Sequence, residues 1–316
     1  MKKISIVTAC YNEEENVAAL VEAVREEFKK LPEYDYEHIF IDNCSVDNTV
    51  PILKSICQKD KRVKVIINSR NFGHIRSPFY GLLEADGDAV MSLVADFQDP
   101  PELIKDFIEK WEEGYKIVVG VKKKSMERKG VFALRKIYYR MVRKMAEVDL
   151  IDSFTGFGLY DEKIIEVLRQ IEDPYPYFRG LICEIGFEKA FIEYEQPKRK
   201  KGKTKNNFIS LFDMAMTGFT STSKVPMRIA TLSGFVMSLL SLIVMLIYLV
   251  LKLVKWYTFE AGTAPILIGV FFFASVQLFF IGVIGEYIAA INTRVIKRPL
   301  VIEKERINFS TSESKK

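Results

Sequence analysis

The chain has 316 residues, with 46 Lys and Arg against 41 Asp and Glu and a formal net charge of +5. That mild excess does not point to nucleic acid, and the length allows one large domain plus a smaller part. The four cysteines, Cys10, Cys44, Cys57 and Cys183, lack CxxC spacing, which argues against a zinc site or disulfide framework and for free thiols in a reducing compartment.

Met1-Lys2-Lys3 leads straight into a strand, Ile4 to Ala9, without the apolar core and cleavage site of a signal peptide, so the N-terminal part is expected in the cytosol. Cys10 to Glu13 form the turn after it. Glu14 to Lys30 carries Val17, Leu20, Val21, Val24 and Phe28 at helical spacing. His38 to Ile41 reads as a second strand. It ends in a turn rich in cap formers, Asp42 to Thr49, and a helix follows through Cys57. Val63 to Ile67 is a third strand, with Asn68 to His74 at its tip and a helix to Ala85.

Ala89 to Val94 is a fourth, buried strand, and polar chemistry begins where it stops. Asp96, Gln98 and Asp99 crowd its tip, and Pro100-Pro101 open a helix running to Glu113. Closely spaced oxygen donors suit a hard divalent cation, which grips phosphate oxygens. A solvated strand-to-helix turn is the alternative. Lys116 to Val121 is a further strand. This alternation predicts βαβ units, an α/β fold and a mostly parallel sheet. Ligands then bind beyond the carboxyl ends of the strands, where four successive tips are polar.

Lys122 to Lys129 is basic. Val131 to Ala146 reads as a helix with Arg135, Lys136, Arg140, Arg143 and Lys144, whose basic face meets either phosphate or water. Thr155-Gly156-Phe157-Gly158 reads as a flexible turn. Pro174 to Gly180 reads as an aromatic turn opening a helix, and Phe191 to Tyr194 as a last strand. No Gly-x-Gly-x-x-Gly, Walker loop or Gly-x-Ser-x-Gly elbow occurs, which disfavours a dinucleotide dehydrogenase, a P-loop NTPase or a serine hydrolase. His38 reads as a strand residue, and His74, at a loop tip, as one within reach of a ligand.

Ile229 to Leu251 and Ala261 to Gly285 contain no charged residue. At ~1.5 Å per helical residue, each can cross a ~30 Å hydrocarbon core. The short link, Lys252 to Glu260, makes them a hairpin with both ends on one side. The basic residues before and after it put those ends in the cytosol. Lys198-Arg199-Lys200-Lys201 with Lys203 and Lys205, and Arg294, Lys297 and Arg298, suit an anionic membrane face, with a solvated loop the alternative for the first cluster. Asn207 to Lys224 has a broad apolar face and reads as an interfacial helix on the inner leaflet or one packed on the soluble domain.

The segments Val7-Thr8-Ala9-Cys10-Tyr11-Asn12-Glu13-Glu14, Asp42-Asn43-Cys44-Ser45, Ser69-Arg70-Asn71-Phe72-Gly73 and Ala95-Asp96-Phe97-Gln98-Asp99-Pro100-Pro101 occur in this order. With Phe178-Arg179-Gly180, Gly186-Phe187, the hairpin and Gly282-Val283-Ile284-Gly285-Glu286-Tyr287, the chain resembles the polyprenyl-phosphate glycosyltransferases of glycosyltransferase family two. Bactoprenol glucosyltransferases and dolichol-phosphate mannose synthases are among them. The resemblance implies a GT-A nucleotide-sugar fold and inverting transfer of a sugar, UDP-glucose being the first guess for donor, to undecaprenyl phosphate or a similar lipid phosphate.

It implies the following organisation: a GT-A domain over 1–206, a juxtamembrane helix over 207–226, and two membrane helices within 227–290 (about 229–251 and 261–285), with a cytosolic tail over 291–316. The whole would sit in the plasma membrane, with a homo-oligomer plausible. By resemblance the donor side takes in Ala9, Tyr11, Asn12, Glu13, Asp42, Ser45, Asn71 and Asp96, with Asp42 at the base and Arg70 near the donor. Asp96 and Gln98 would hold Mg2+ or Mn2+. Arg135, Lys136, Arg179, Lys203 and Lys205 would meet the lipid phosphate.

Two departures stand out. Many relatives have Asp-x-Asp where this chain has Val94-Ala95-Asp96, which leaves Asp99 to compensate or the metal more loosely held. Relatives often carry Gly-Asp-Phe-Arg where this chain has Thr155-Gly156-Phe157-Gly158, so a proposed catalytic Asp is Gly156 here and Asp152 is the nearby substitute. A phosphate monoester, with a second pKa of about 6, is largely dianionic at neutral pH and needs no strong general base. A processive polysaccharide synthase is disfavoured because neither Trp111 nor Trp256 lies in a Gln-x-x-Arg-Trp motif. A non-catalytic donor-binding relative is the remaining alternative.

Overall fold

The computed structural model describes residues 1–123, 151, 154–197, 225–254, 263–296 and 298–309. Arg135, Lys136, Asp152, Lys203, Lys205, the basic helix at 131–146, the interfacial helix at 207–224 and most of the interhelical link lie outside the described residues.

Short apolar runs flanked by polar turns form the first four strands, β1 (Lys2–Cys10), β2 (Tyr34–Asp42), β3 (Val63–Asn68) and β4 (Ala89–Ser92). Helices α1 (Val17–Lys29), α2 (Thr49–Lys59) and α3 (Gly73–Leu83) connect them, and α4 (Ile104–Glu112) follows β4. β5 (Ile117–Lys122), β6 (Phe154–Asp161) and β7 (Lys189–Tyr194) extend the sheet, with α5 (Glu162–Arg169) and α6 (Phe178–Glu184) between the last two. The strand order is β7-β5-β6-β4-β1-β2-β3, and β8 (Glu303–Ile307) lies on the far edge beside β3. Pairings β1–β2, β1–β4, β2–β3 and β5–β7 are parallel, whereas β4–β6, β5–β6 and β3–β8 are antiparallel.

Both faces of the sheet are covered, as near-continuous apolar strands require. Ile4, Ile6 and Phe40 pack with α1, α2 and α4, whereas Val7, Ile39 and Ile41 pack with α3, α5 and α6. Gly81 lets α3 approach closely, because a Cβ there would sit 2.9 Å from Val7 Cγ1.

Two expectations change. Thr155 to Gly158, read as a flexible turn, lies inside β6. Glycine in a strand marks close backbone approach, and a Cβ on Gly158 would fall 2.7 Å from the Val118 carbonyl oxygen. The segment after the hairpin, read as a tail, supplies β8. Asn308 Nδ2 donates to the Cys57 and Val63 carbonyls at 2.9 and 2.8 Å, and the Ser69 N–H donates to the Ile302 carbonyl at 2.9 Å.

The hairpin itself comprises α7 (Val225–Val254) and α8 (Thr263–Val295). Met227–Leu251 and Gly269–Val295 are long and apolar enough to cross a membrane, and their large side chains, from Leu232 and Phe235 to Phe271 and Leu278, lie exposed.

Candidate active site

The chain runs from β1 through β2 to β3 on one side and then returns to β4 on the other side of β1. The carboxyl end between β1 and β4 is therefore a switch point, where an open α/β sheet forms its crevice. The strand tips there are held by one another. The Asn12 N–H donates to Ser45 Oγ at 2.8 Å, and Asn12 Oδ1 accepts from the Val46 N–H at 2.9 Å. The Glu13 N–H donates to Thr49 Oγ1 at 2.8 Å. Asn43 ties the next tip: its Nδ2 donates to Asn71 Oδ1 at 2.9 Å, and its Oδ1 accepts from the Phe72 N–H at 2.8 Å. Asn12, Cys44 and Phe97, one in each of three tips, have φ of 55°, 66° and 61°. Non-glycine residues adopt such values rarely, and they cluster where a turn must aim its side chains.

Ala9, Tyr11, Asn12, Glu13 and Ser45 are half-buried along this edge, and Asn71 is exposed. Arg70 is exposed too; its guanidinium lies 4.0 Å over the Phe72 ring, and its Nη1 donates to the Asn71 carbonyl at 3.1 Å. Asp42, expected at the base, has no exposed surface. Its Oδ2 accepts from the Ser45 N–H at 2.9 Å, so its carboxylate holds the turn that carries Ser45. Burial raises its pKa, while the bonds from Ser45 oppose the rise.

At the fourth tip, buried Phe97 pins the loop, and Asp96 and Gln98 flank it half-buried. Asp96 Oδ1 accepts from the Gln98 N–H at 3.1 Å. Asp99, expected beside them as a metal ligand, is instead buried and accepts from the Tyr194 hydroxyl of β7 at 3.0 Å. Burial pushes its pKa up to about 6 against that hydrogen bond. Val94, where a carboxylate was missed, is 39% exposed. Gly156, the other missing carboxylate, has φ +105°.

A cavity of about 350 Å³ opens at the switch point. Its walls are Val7 and Ala9 of β1, Ser92 to Val94 at the end of β4, Thr155 and Gly156 of β6, and residues of α3 and α6. His74 and Arg179 are among its lining residues, and among the described residues no Asp or Glu lines it. Arg179 Nη1 donates to the Phe154 carbonyl at 3.4 Å. Sequence reasoning did not see this cavity, because its walls come from five separate segments. The signals available were single residues, His74 at a loop tip and Arg179 in an aromatic turn.

Residues 5–169 match the family model described as glycosyl transferase family 2. The chain belongs to glycosyltransferase family 2. It is 36% identical over 305 residues to the putative glycosyltransferase CsbB of Bacillus subtilis (strain 168), covering 96% of this chain and 91% of that protein. It is 30% identical over 304 residues to the bactoprenol glucosyl transferase of Shigella phage SfII, covering 96% of this chain and 98% of that protein. Among solved structures it is similar to glucosyl-3-phosphoglycerate synthase from Mycobacterium tuberculosis in complex with Mn2+, UDP and phosphoglyceric acid, with TM-score 0.48 and 16% identity over 69% of this chain and 76% of that one.

This family 2 glycosyltransferase has a GT-A-like α/β fold. Among the described residues, no three His, Cys, Asp or Glu side chains gather into a metal-binding group. The oxygen-bearing side chains at the β4 tip outside the core are Asp96 and Gln98, both half-buried. One carboxylate and one amide would suit a hard divalent cation that also meets phosphate oxygens; they do not make an all-protein cage.

Proposed function

We propose that the protein transfers a sugar from a nucleotide-sugar donor, UDP-glucose first, to a polyprenyl phosphate, with inversion, at the cytosolic face of the plasma membrane. The observation that carries this reading is that a transferase crevice and a membrane-length hairpin share one chain, matched along 96% of its length by a bactoprenol glucosyl transferase. A water-insoluble acceptor must be met at the bilayer, and the hairpin supports that meeting.

In this reading Ala9, Tyr11, Asn12, Glu13, Ser45 and Asn71 bind the nucleotide, Asp42 holds their loop in register, and Arg70 screens the diphosphate. Asp96 and Gln98 would hold the divalent cation, which when bound neutralises charge on the departing nucleoside diphosphate. Arg179 draws the acceptor phosphate into line with the anomeric carbon. A phosphate oxygen forms the new bond to that carbon as the bond to the diphosphate breaks, and the electron pair leaves with the nucleotide. An acceptor already charged makes a carboxylate base at Gly156 dispensable. Arg135, Lys136, Lys203 and Lys205 are further proposed contacts to the lipid phosphate, and Asp152 a further proposed group near the reaction.

The test is transfer from a panel of radiolabelled nucleotide sugars to undecaprenyl phosphate by purified protein in detergent, with and without Mg2+ or Mn2+. A labelled lipid with one donor establishes the reaction and names the sugar. No lipid product from any donor, with folded protein, refutes it.

A further inference from the structure

The cavity between β1 and β4 is unlike the rest of the crevice in its charge. Around the donor-side tips, carboxylates are common: Glu13, Glu14, Asp42 and Asp47 all lie there. In the cavity the titratable groups among the described lining residues are His74, in the first turn of α3, and Tyr177 and Arg179, at the start of α6. The β1, β4 and β6 walls contribute only Val7, Ala9, Ser92, Leu93, Val94, Thr155 and Gly156, none of which titrates. A half-enclosed space whose described walls carry one guanidinium, one imidazole and one phenol and no carboxylate attracts an anion.

We propose that His74 is the second cationic group of the acceptor-phosphate seat, taking up a proton as a phosphate monoester dianion enters the cavity beside Arg179. This rests on the polyprenyl-phosphate reading and adds to it a positioning residue and a charge mechanism. Without ligand, desolvation and the Arg179 guanidinium both push the His74 imidazole below its ordinary value, which favours its neutral form. Two permanent cations in one cavity would repel each other; a cation beside an imidazole that is neutral at rest does not pose that problem. An entering dianion reverses the local field, and an opposite charge within ~4–6 Å moves a pKa by about 1–3 units towards the charged form. His74 then draws its proton from solvent.

The same charge arithmetic separates substrate from product. Transfer converts the monoester into a sugar phosphodiester, which carries one negative charge where the acceptor carried two. His74 releases its proton to solvent as that weaker anion leaves. The seat therefore holds acceptor more tightly than product, and proton uptake on binding is matched by proton release at departure.

The histidine content makes the test direct. The chain has two histidines, and burial pushes His38 down to about 3, so it stays neutral between pH 5 and 9. Full-length protein carrying 13C-labelled histidine in detergent is titrated by NMR, free, with inorganic phosphate, and with farnesyl phosphate as an isoprenoid monoester. The His74 midpoint is expected to rise by about one unit or more with saturating farnesyl phosphate. An unmoved midpoint overturns the proposal. A rise with inorganic phosphate as well supports a seat that reads the headgroup alone.

Kinetics supply the second arm. His74→Gln is expected to raise the undecaprenyl phosphate KM about fivefold to tenfold near pH 6.5 with kcat within about twofold, and to flatten the KM–pH profile; one pKa unit corresponds to a tenfold bias. His74→Lys is expected to restore a low KM that no longer varies with pH near neutrality. A wild-type KM and pH profile in His74→Gln overturns the proposal while leaving the polyprenyl-phosphate reading intact. Absence of transfer by the wild type refutes that reading instead, and the farnesyl phosphate titration still decides the seat.

Discussion

Asp96 and Asp99 stand three residues apart in opposite environments. Asp96 is half-buried at the open crevice, whereas Asp99 is 3% exposed and tied to Tyr194. Asp96→Ala is expected to lower transfer at least about a hundredfold with membrane insertion unchanged, as for loss of a metal-bound charge clamp. Asp99→Asn keeps an oxygen to accept the Tyr194 hydroxyl and is expected to stay within about fivefold of wild type. Equal losses in both variants would return Asp99 to the metal site.

Asp99 also makes a stability prediction. Its folded pKa of about 6 lies above the ordinary value of 3.8, so between those values the folded protein holds a proton that the unfolded chain releases. Its contribution is complete below the unfolded value and is lost as pH rises through about 6. Relative to Asp99→Asn, the wild type should lose roughly 2–3 kcal/mol between pH 4 and 7, read from denaturant unfolding of both proteins. Parallel stability curves would refute this. Gly156 teaches a related lesson: its φ of +105° means that restoring a carboxylate there would cost about 1–2 kcal/mol in backbone strain.

Among the elements, β8 has the largest consequence for architecture. It leaves the end of α8 and pairs with β3, placing the Ser69 N–H, which precedes Arg70, against the Ile302 carbonyl. Its side chains tie it further: Arg306 Nη2 donates to Glu84 at 2.7 Å, and the Tyr80 hydroxyl donates to Glu303 at 2.7 Å. The apolar hairpin is thus tied to the β3 edge of the sheet. Asn308→Ala removes the donor to the Cys57 and Val63 carbonyls and should lower stability by about 1–3 kcal/mol. Limited proteolysis should then cut first after α8. A variant with unchanged unfolding and proteolysis would show that the backbone pairing alone holds the strand.

For the whole molecule, β8 has a topological meaning. The strand that follows α8 belongs to the same sheet as the strands that precede α7, so a hairpin crossing the bilayer must return the chain to the side it left. The basic residues flanking the hairpin support the proposal that this side faces the cytosol. A membrane-impermeant maleimide should therefore label Thr258→Cys, in the interhelical link, in intact cells, and Ile302→Cys only after permeabilisation. The opposite pattern would invert the proposed orientation.

Much of this was legible in the chain itself. Apolar runs and cap-rich turns locate the strands and helices of β1 to β5, the polar tips and Asp96 among them, because periodicity and local turn chemistry act over a few residues. The two uncharged stretches announce the hairpin for the same reason, since hydropathy is local. The tertiary structure alone decided the rest: Asp42 and Asp99 inside the protein, Thr155 to Gly158 within a strand, Glu303 to Ile307 on the sheet edge, and His74 and Arg179 in one cavity. Each depends on contacts between segments tens to hundreds of residues apart, whose packing turns a side chain towards ligand or core and leaves no trace in its neighbours along the chain.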